Sequence, residues 1–274
     1  MLRIARPARR FGAFFFNDPM KRLAISLVLY NNDPAEVDRL LLSIRRSSLS
    51  ADLFIVDNSS ENHASQFDGL PHVRYCHTGK NLGYGAGHNL ILRQTVASYS
   101  YHLVVNPDIY FEEHVLKRLV EHMDAHPQIG HMMPKILYPN GETQYLCKNL
   151  PRPWHLIARR ILPGHWAERW NHSYEMRYAD YDQPMEVPFL SGCFMLLRTS
   201  ALRKIGFFDE RYFLYFEDLD LTRRIARQYG CLYWPEVAVV HNHKNENYRN
   251  LALLRHLIQS GIRYFNRYGW RPFW

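Results

Sequence analysis

Leu23-Ala24-Ile25-Ser26-Leu27-Val28-Leu29-Tyr30-Asn31-Asn32-Asp33-Pro34 is the stretch that decides the fold. Residues 23–29 are apolar with almost no alternation, as expected of a parallel strand buried on both faces. The polar run from Tyr30 ends it. Asp33 can cap a following helix, and Pro34 fits that helix's first turn. Val37, Leu40, Leu41 and Ile44 then supply an apolar helical face. The unit is strand, polar turn, helix.

The same unit recurs outward along the chain. Residues 53–56 read as a second strand ending in Asp57-Asn58-Ser59-Ser60, and 73–76 as a third. Residues 102–105 read as a fourth, ending in Asn106-Pro107-Asp108. Helices are predicted over 86–97 and 115–123. A strand is predicted over 129–138, closed by the turn Pro139-Asn140-Gly141-Glu142. Strands alternating with helices predict an α/β fold: a mostly parallel open sheet flanked by helices, with right-handed crossovers and a short antiparallel portion. The polar strand ends at Asn31, Asp57 and Asp108 are then expected along the carboxyl edge, where such sheets bind ligands. Residues 150–184, rich in Trp, Arg, His, Tyr and Pro, break the rhythm and read as an inserted lid-like segment. A strand over 187–198, two short strands over 231–234 and 237–240, and a helical tail over 251–268 complete the pattern.

The totals bound the partners. The chain has 274 residues, of which 47% are hydrophobic, enough for one large domain, and a formal net charge of +8. That charge suggests an anionic partner, a nucleotide or a membrane surface. The basic residues are scattered and carry no nucleic-acid signature, which excludes nucleic acid as the expected partner. Cys76, Cys147, Cys193 and Cys231 are far apart and read as reduced thiols of a cytoplasmic protein. No apolar run approaches the ~20 residues of a membrane span. Residues 1–19, with Arg3, Arg6, Arg9 and Arg10 around Phe14-Phe15-Phe16, read as a basic extension, disordered or touching lipid. Met20-Lys21-Arg22 reads as a second start. Residues 20–274 are expected to form a single domain.

Five places carry chemistry. In Phe207-Phe208-Asp209-Glu210-Arg211-Tyr212-Phe213-Leu214-Tyr215-Phe216-Glu217-Asp218-Leu219-Asp220-Leu221-Thr222-Arg223-Arg224, the spacing of Leu221, Ile225 and Tyr229 predicts a buried helix stripe. Glu217, Asp218 and Asp220 fall at its start, where backbone N–H groups favour ionised carboxylates. Such a carboxylate beside an aromatic wall can take a proton from a sugar hydroxyl. The same residues also read as a simple helix cap with an Asp220–Arg224 pair. The glycines of Gly79-Lys80-Asn81-Leu82-Gly83-Tyr84-Gly85-Ala86-Gly87-His88-Asn89 allow close backbone approach to a ligand, though their spacing is neither a dinucleotide fingerprint nor a P-loop. Asp108 reads as a cation ligand or as part of a turn. His241 and His243 are expected to leave their strand on alternate faces, one toward a metal and the other toward phosphate. Asp57 reads as a hydrogen-bond acceptor for a nucleobase or as the start of an Asx-turn.

Together these pieces resemble the family-2 glycosyltransferases of GT-A fold, in particular the rhamnosyltransferase-like branch. The resemblance rests on residues 27–31, 55–60, 81–89, 105–108, 191–195, 206–210 and 216–221. It implies an inverting transferase that uses a nucleotide diphosphate sugar. The expected donor is dTDP-L-rhamnose, with UDP-Gal, UDP-GlcNAc or GDP-Man as alternatives. The expected acceptor is a lipid-linked glycan. An alternative is a binding module without catalysis. It further implies a nucleotide-sugar site over about 20–110, an acceptor site over about 111–250, and a protein peripheral to the inner face of the cytoplasmic membrane. Tyr30, Asn31, Asp57, Asn81, Gly83, Asn89, Asn106 and Asp108 would line the donor. Asp108 and His241 would hold Mg²⁺ or Mn²⁺. Asp218 would be the catalytic base, and Ser191, Gly192 and Glu217 would meet the acceptor. The triplet here is Asn-Pro-Asp, so the family's first carboxylate is absent. After His241 the family's glycine–serine loop is replaced by Asn242-His243-Lys244-Asn245-Glu246-Asn247, where Lys244 or Arg249 would supply phosphate contacts.

Overall fold

The computed structural model describes residues 21–153, 168, 171–243 and 251–270. Residues 1–19, most of the lid-like segment, Lys244 and Arg249 lie outside the described residues.

The core is one twisted sheet. Strand β1 (Lys21–Leu29) pairs in parallel with β2 (Asp52–Asp57) and β4 (Tyr99–Val105), and β2 pairs in parallel with β3 (Val73–His77). Beyond β4 lies β10 (Phe194–Arg198), antiparallel to β4 and to β6 (Ile129–Leu137). Then come β11 (Gly230–His241), parallel to β6, and β5 (Ile109–Phe111), antiparallel to β11. The short β8 (Met185–Glu186) pairs with β11, which makes nine strands among the described residues. A separate pair joins β7 (Cys147–Lys148) to β9 (Phe189–Leu190).

Helices cover the sheet as the apolar stripes require. In α1 (Pro34–Arg46), Asp33 caps Ala35 N–H at 3.0 Å, and Val37, Leu40 and Leu41 are buried. Helix α2 (Tyr84–Thr95) starts two residues earlier than its periodicity predicts, because Gly83 adopts φ +86° and its carbonyl accepts the Gly87 N–H. A Cβ on Gly83 would stand 2.3 Å from the Phe213 carbonyl oxygen, and one on Gly87 would stand 2.8 Å from Val28. The close approach that these glycines permit is to other protein segments. Helix α3 (Val115–Ala125) packs on β6 and β11, and α4 (Thr199–Ile205) on β4 and β10.

Three predicted boundaries change. The span 187–198 is two strands with a turn at 191–193 between them, and the second is antiparallel in the middle of the sheet. The two strands expected over 231–240 are one, with a register shift between Trp234 and Ala238. Pro235 lies in that interval and has no N–H to give the ladder. Helix α5 (Glu217–Ile225) buries Leu221 and Ile225 but ends before Tyr229. The final helix, α6 (Leu251–Tyr268), packs Tyr264 and Phe265 against Tyr212, Phe216, Leu219 and Phe189, a second core around the start of α5.

Candidate functional site

Parallel register sets the ligand edge. Leu29 stands opposite Asp57, Asp57 opposite His77, and Leu27 opposite Val105, so the chain leaves β1, β2 and β4 at one edge. Asp57 is buried with both oxygens taken: Ser59 N–H at 2.9 Å, Tyr75 hydroxyl at 2.6 Å and His63 Nδ1 at 2.8 Å. Burial opposes its charge, but these hydrogen bonds outweigh it and hold the carboxyl below its ordinary pKa. The Ser59 contact closes the Asx-turn. Tyr30 and Asn31 are exposed beside it, with Asn31 at φ 55° and its N–H bonded to Ser59 Oγ.

The Gly-rich segment divides its labour. Asn81 Oδ1 accepts the Gly83 N–H at 2.9 Å. Asn89 is buried: its amide nitrogen donates to the Phe208 carbonyl and Glu210, and its oxygen accepts the Phe208 N–H. Asn89 therefore faces the loop before α5 and braces it, rather than facing an open pocket. Tyr84 reaches the turn before β10. Its hydroxyl lies 2.6 Å from the Gly192 carbonyl and 3.2 Å from Asn106 Oδ1.

Antiparallel pairing of β5 with β11 sets His241 opposite Ile109 and so beside Asp108. His241 Nε2 is 3.3 Å from Asp108 Oδ2, and one ligand atom from each of Asp108, His241 and His243 falls within a 4.8 Å cluster. The expectation of alternate faces for the two histidines is corrected: residues two apart share a face of a strand, and their rings lie 5.2 Å apart. Gln144 is buried behind them. Its amide nitrogen donates to the carbonyls of His241 (2.7 Å) and Leu137 (3.2 Å), which leaves Oε1 facing His241 Nδ1 at 2.9 Å. An amide oxygen only accepts, so Nδ1 carries the proton and the Nε2 lone pair of a neutral ring points at Asp108. Two acceptors then face each other, and Asp108 Oδ1 and His241 Nε2 are both buried without a hydrogen-bond partner. A cation between them resolves the conflict. One carboxylate oxygen and two imidazoles suit a divalent ion such as Mn²⁺.

The acidic pair sits across from this cluster. Asp218 Oδ1 accepts the Leu219 N–H at 2.8 Å, and Oδ2 accepts the Gly192 N–H at 2.9 Å. A Cβ on Gly192 would stand 3.0 Å from the Asp218 side chain, so any larger residue there presses on the carboxylate. Glu217 is buried with Oε2 unpartnered. Burial raises both carboxyls, and Glu217 much further, with the charge of Asp218 adding to its shift. The two backbone N–H groups and the Lys148 charge work the other way on Asp218. Of the two, Glu217 is the harder to ionise and Asp218 the easier. The two clusters are joined: Asn106 N–H donates to the Cys193 carbonyl, next to Gly192. Ser191 Oγ caps the same turn at Cys193 N–H, 3.5 Å away. Asp220, also considered as a base, is fully buried and bound by Arg224, Arg267 and Tyr268, so the helix-pair reading applies to it.

Three residues of this site were not singled out from the sequence: Gln144, Tyr84 and Lys148. Lys148 lies over the rings of Phe189 and Tyr174, and its charge lowers the pKa of both Asp218 and His243. Gln144 meets a partner 97 positions away, which no local pattern reports.

The sheet, its antiparallel centre and an edge carrying a carboxylate–histidine cluster beside a second acidic pair define a GT-A glycosyltransferase fold. GalNAc-T7, solved with UDP, GalNAc and Mn²⁺, superposes at TM-score 0.65 with 13% identity, over 91% of this chain and 50% of its own. The mannosyltransferase PcManGT of Pyrobaculum calidifontis, solved with GDP-Man and Mn²⁺, superposes at 0.60 with 16% identity, over 89% and 64%. The chain thus spans between half and two thirds of these solved chains. Residues 25–206 match glycosyl transferase family 2, and the chain belongs to that family. It is rhamnosyltransferase-like: it is 28% identical over 246 residues to the N-acetylglucosaminyl-diphospho-decaprenol L-rhamnosyltransferase of Mycobacterium tuberculosis, covering 84% of this chain and 79% of the relative. Among the described residues no helix is long and apolar enough to cross a membrane.

Proposed function

We propose that this protein is an inverting, metal-dependent hexosyltransferase that moves L-rhamnose from dTDP-L-rhamnose to a lipid-linked cell-surface glycan at the inner face of the cytoplasmic membrane. The observation that carries the reading is the linked pair of clusters. Asp108–His241–His243 and Glu217–Asp218 stand on either side of the Asn106–Tyr84–Gly192 hydrogen bonds. Asp218 takes the proton of the acceptor hydroxyl as that oxygen bonds to the anomeric carbon, and the sugar–diphosphate bond breaks with its electron pair leaving on the diphosphate. Protonated Glu217 leaves Asp218 as the ionised member of the pair. Gly192 aims the Asp218 carboxylate through its N–H. Asp108, His241 and His243 would hold Mg²⁺ or Mn²⁺, which when bound neutralises diphosphate charge. The rhamnosyl donor and the lipid-linked acceptor come to this chain from the name of its mycobacterial relative.

The test is transfer to a prenyl-diphosphate-linked sugar from dTDP-L-rhamnose, UDP-Gal, UDP-GlcNAc and GDP-Man, with and without EDTA. Rhamnose transfer with inversion, lost in EDTA and lowered at least about 100-fold in Asp218→Asn with donor binding intact, is the expected result. Transfer of another sugar would replace the donor, and near wild-type turnover by Asp218→Asn would remove the base.

A further inference from the structure

Helix α6 has two faces with different occupants. Its inner face holds the loop that leads into Glu217 and Asp218: Ser260 Oγ donates to the Leu214 carbonyl at 2.9 Å, and His256 stacks on Phe213 at 4.5 Å. Arg267 and Tyr268 both bond Asp220. The outer face carries large apolar side chains in the open: Leu251 is 82% exposed, Ile258 45% and Ile262 44%. Their spacing of seven and four residues puts them on one stripe. Exposed Arg255 and Arg263 flank it, Trp270 beyond the helix end is 50% exposed, and the helix contains no acidic residue.

We infer that this outer face is a docking surface for an anionic lipid bilayer, on which α6 lies in the headgroup plane. An apolar stripe edged by arginines and closed by a tryptophan matches a surface that is apolar beneath and negative above. A protein partner of ordinary composition offers no reason for an acid-free flank. The inference rests on the lipid-linked acceptor proposed above. It adds that docking holds the mouth of the Glu217–Asp218 site at the membrane, because the opposite side of the same helix grips residues 213–220.

Cosedimentation of the full chain with vesicles of phosphatidylcholine alone or mixed with phosphatidylglycerol tests this. Two surface variants are compared, Ile258→Ser with Ile262→Ser and Arg255→Gln with Arg263→Gln. The expected result is binding to anionic vesicles, weaker in each double variant by at least about tenfold, with unchanged melting temperature and unchanged turnover of a water-soluble acceptor analogue. Binding by both variants equal to wild type overturns the inference. So does equal wild-type binding to neutral and anionic vesicles. A wild-type dimer that the apolar variant turns into a monomer would assign the face to a second copy instead. Turnover of the soluble analogue reports the transferase reading separately, so either conclusion can fail without the other.

Discussion

Gln144→Leu removes the side-chain acceptor that faces His241 Nδ1 at 2.9 Å among the described residues, while keeping a buried side chain of similar size. The ring is then free to place its proton on Nε2, where it bonds Asp108 and blocks the cation. Loss of an outer hydrogen bond to a metal-binding histidine costs about 10–100-fold in affinity, or about 1.4–2.8 kcal/mol. The variant also leaves the His241 and Leu137 carbonyls without their Gln144 donor, so stability falls by about 1–3 kcal/mol. Gln144→Glu separates these effects. It loses the same donor but keeps an acceptor on Nδ1, so it should be destabilised at least as much as the leucine variant yet bind Mn²⁺ at least as well as wild type. Calorimetric titration with Mn²⁺, with and without nucleotide diphosphate, reads the affinities, and nitrogen-15 shifts of the His241 ring read the tautomer without metal. Wild-type affinity in Gln144→Leu, or equal losses in both variants, would refute the argument.

Gly192→Ala should lower turnover by about 10–100-fold with little change in donor affinity, because the new Cβ meets the Asp218 carboxylate, the proposed base; unchanged kcat in a folded variant would reject this. Lys148→Met removes a charge that lowers the Asp218 pKa, so the acidic limb of the kcat profile should move to higher pH, and an unmoved limb counts against the placement. Acid stability should follow the buried histidines. Burial lowers His102 and His131 to about 3 from 6.5, so both stay neutral in the fold while the unfolded chain takes up protons. Their stability contribution is complete above pH 6.5 and is lost as pH falls from 6.5 toward 3, by about 1.4 kcal/mol per pH unit for each. Urea unfolding at pH 7.5 and 5.5 should show this loss, and equal midpoints would contradict it.

Local chemistry along the chain was enough to set the αβ rhythm and the edge. The run 23–34 dictates strand, cap and helix through local chemistry alone, and Asp33 caps as its side chain requires. Asp57 ends a strand and Asp108 follows one, so their place at the sheet's carboxyl edge was legible from chain order, and the 217–220 acids were legible as a helix start. What lay beyond was everything decided by contacts between distant residues. Asp57 turned inward because Tyr75 and His63 supply donors from the next strand and loop, and Asn89 because the 208–210 loop folds over α2. His241 meets Asp108 only because β11 pairs back along β5, and its useful nitrogen is chosen by Gln144, far off in the chain. Asp218 is held by the Gly192 N–H, 26 residues earlier, and a Cβ at that position would press on its carboxylate. Local propensity acts over a few residues, whereas these selections depend on strand order and register, which exist only once the sheet has formed.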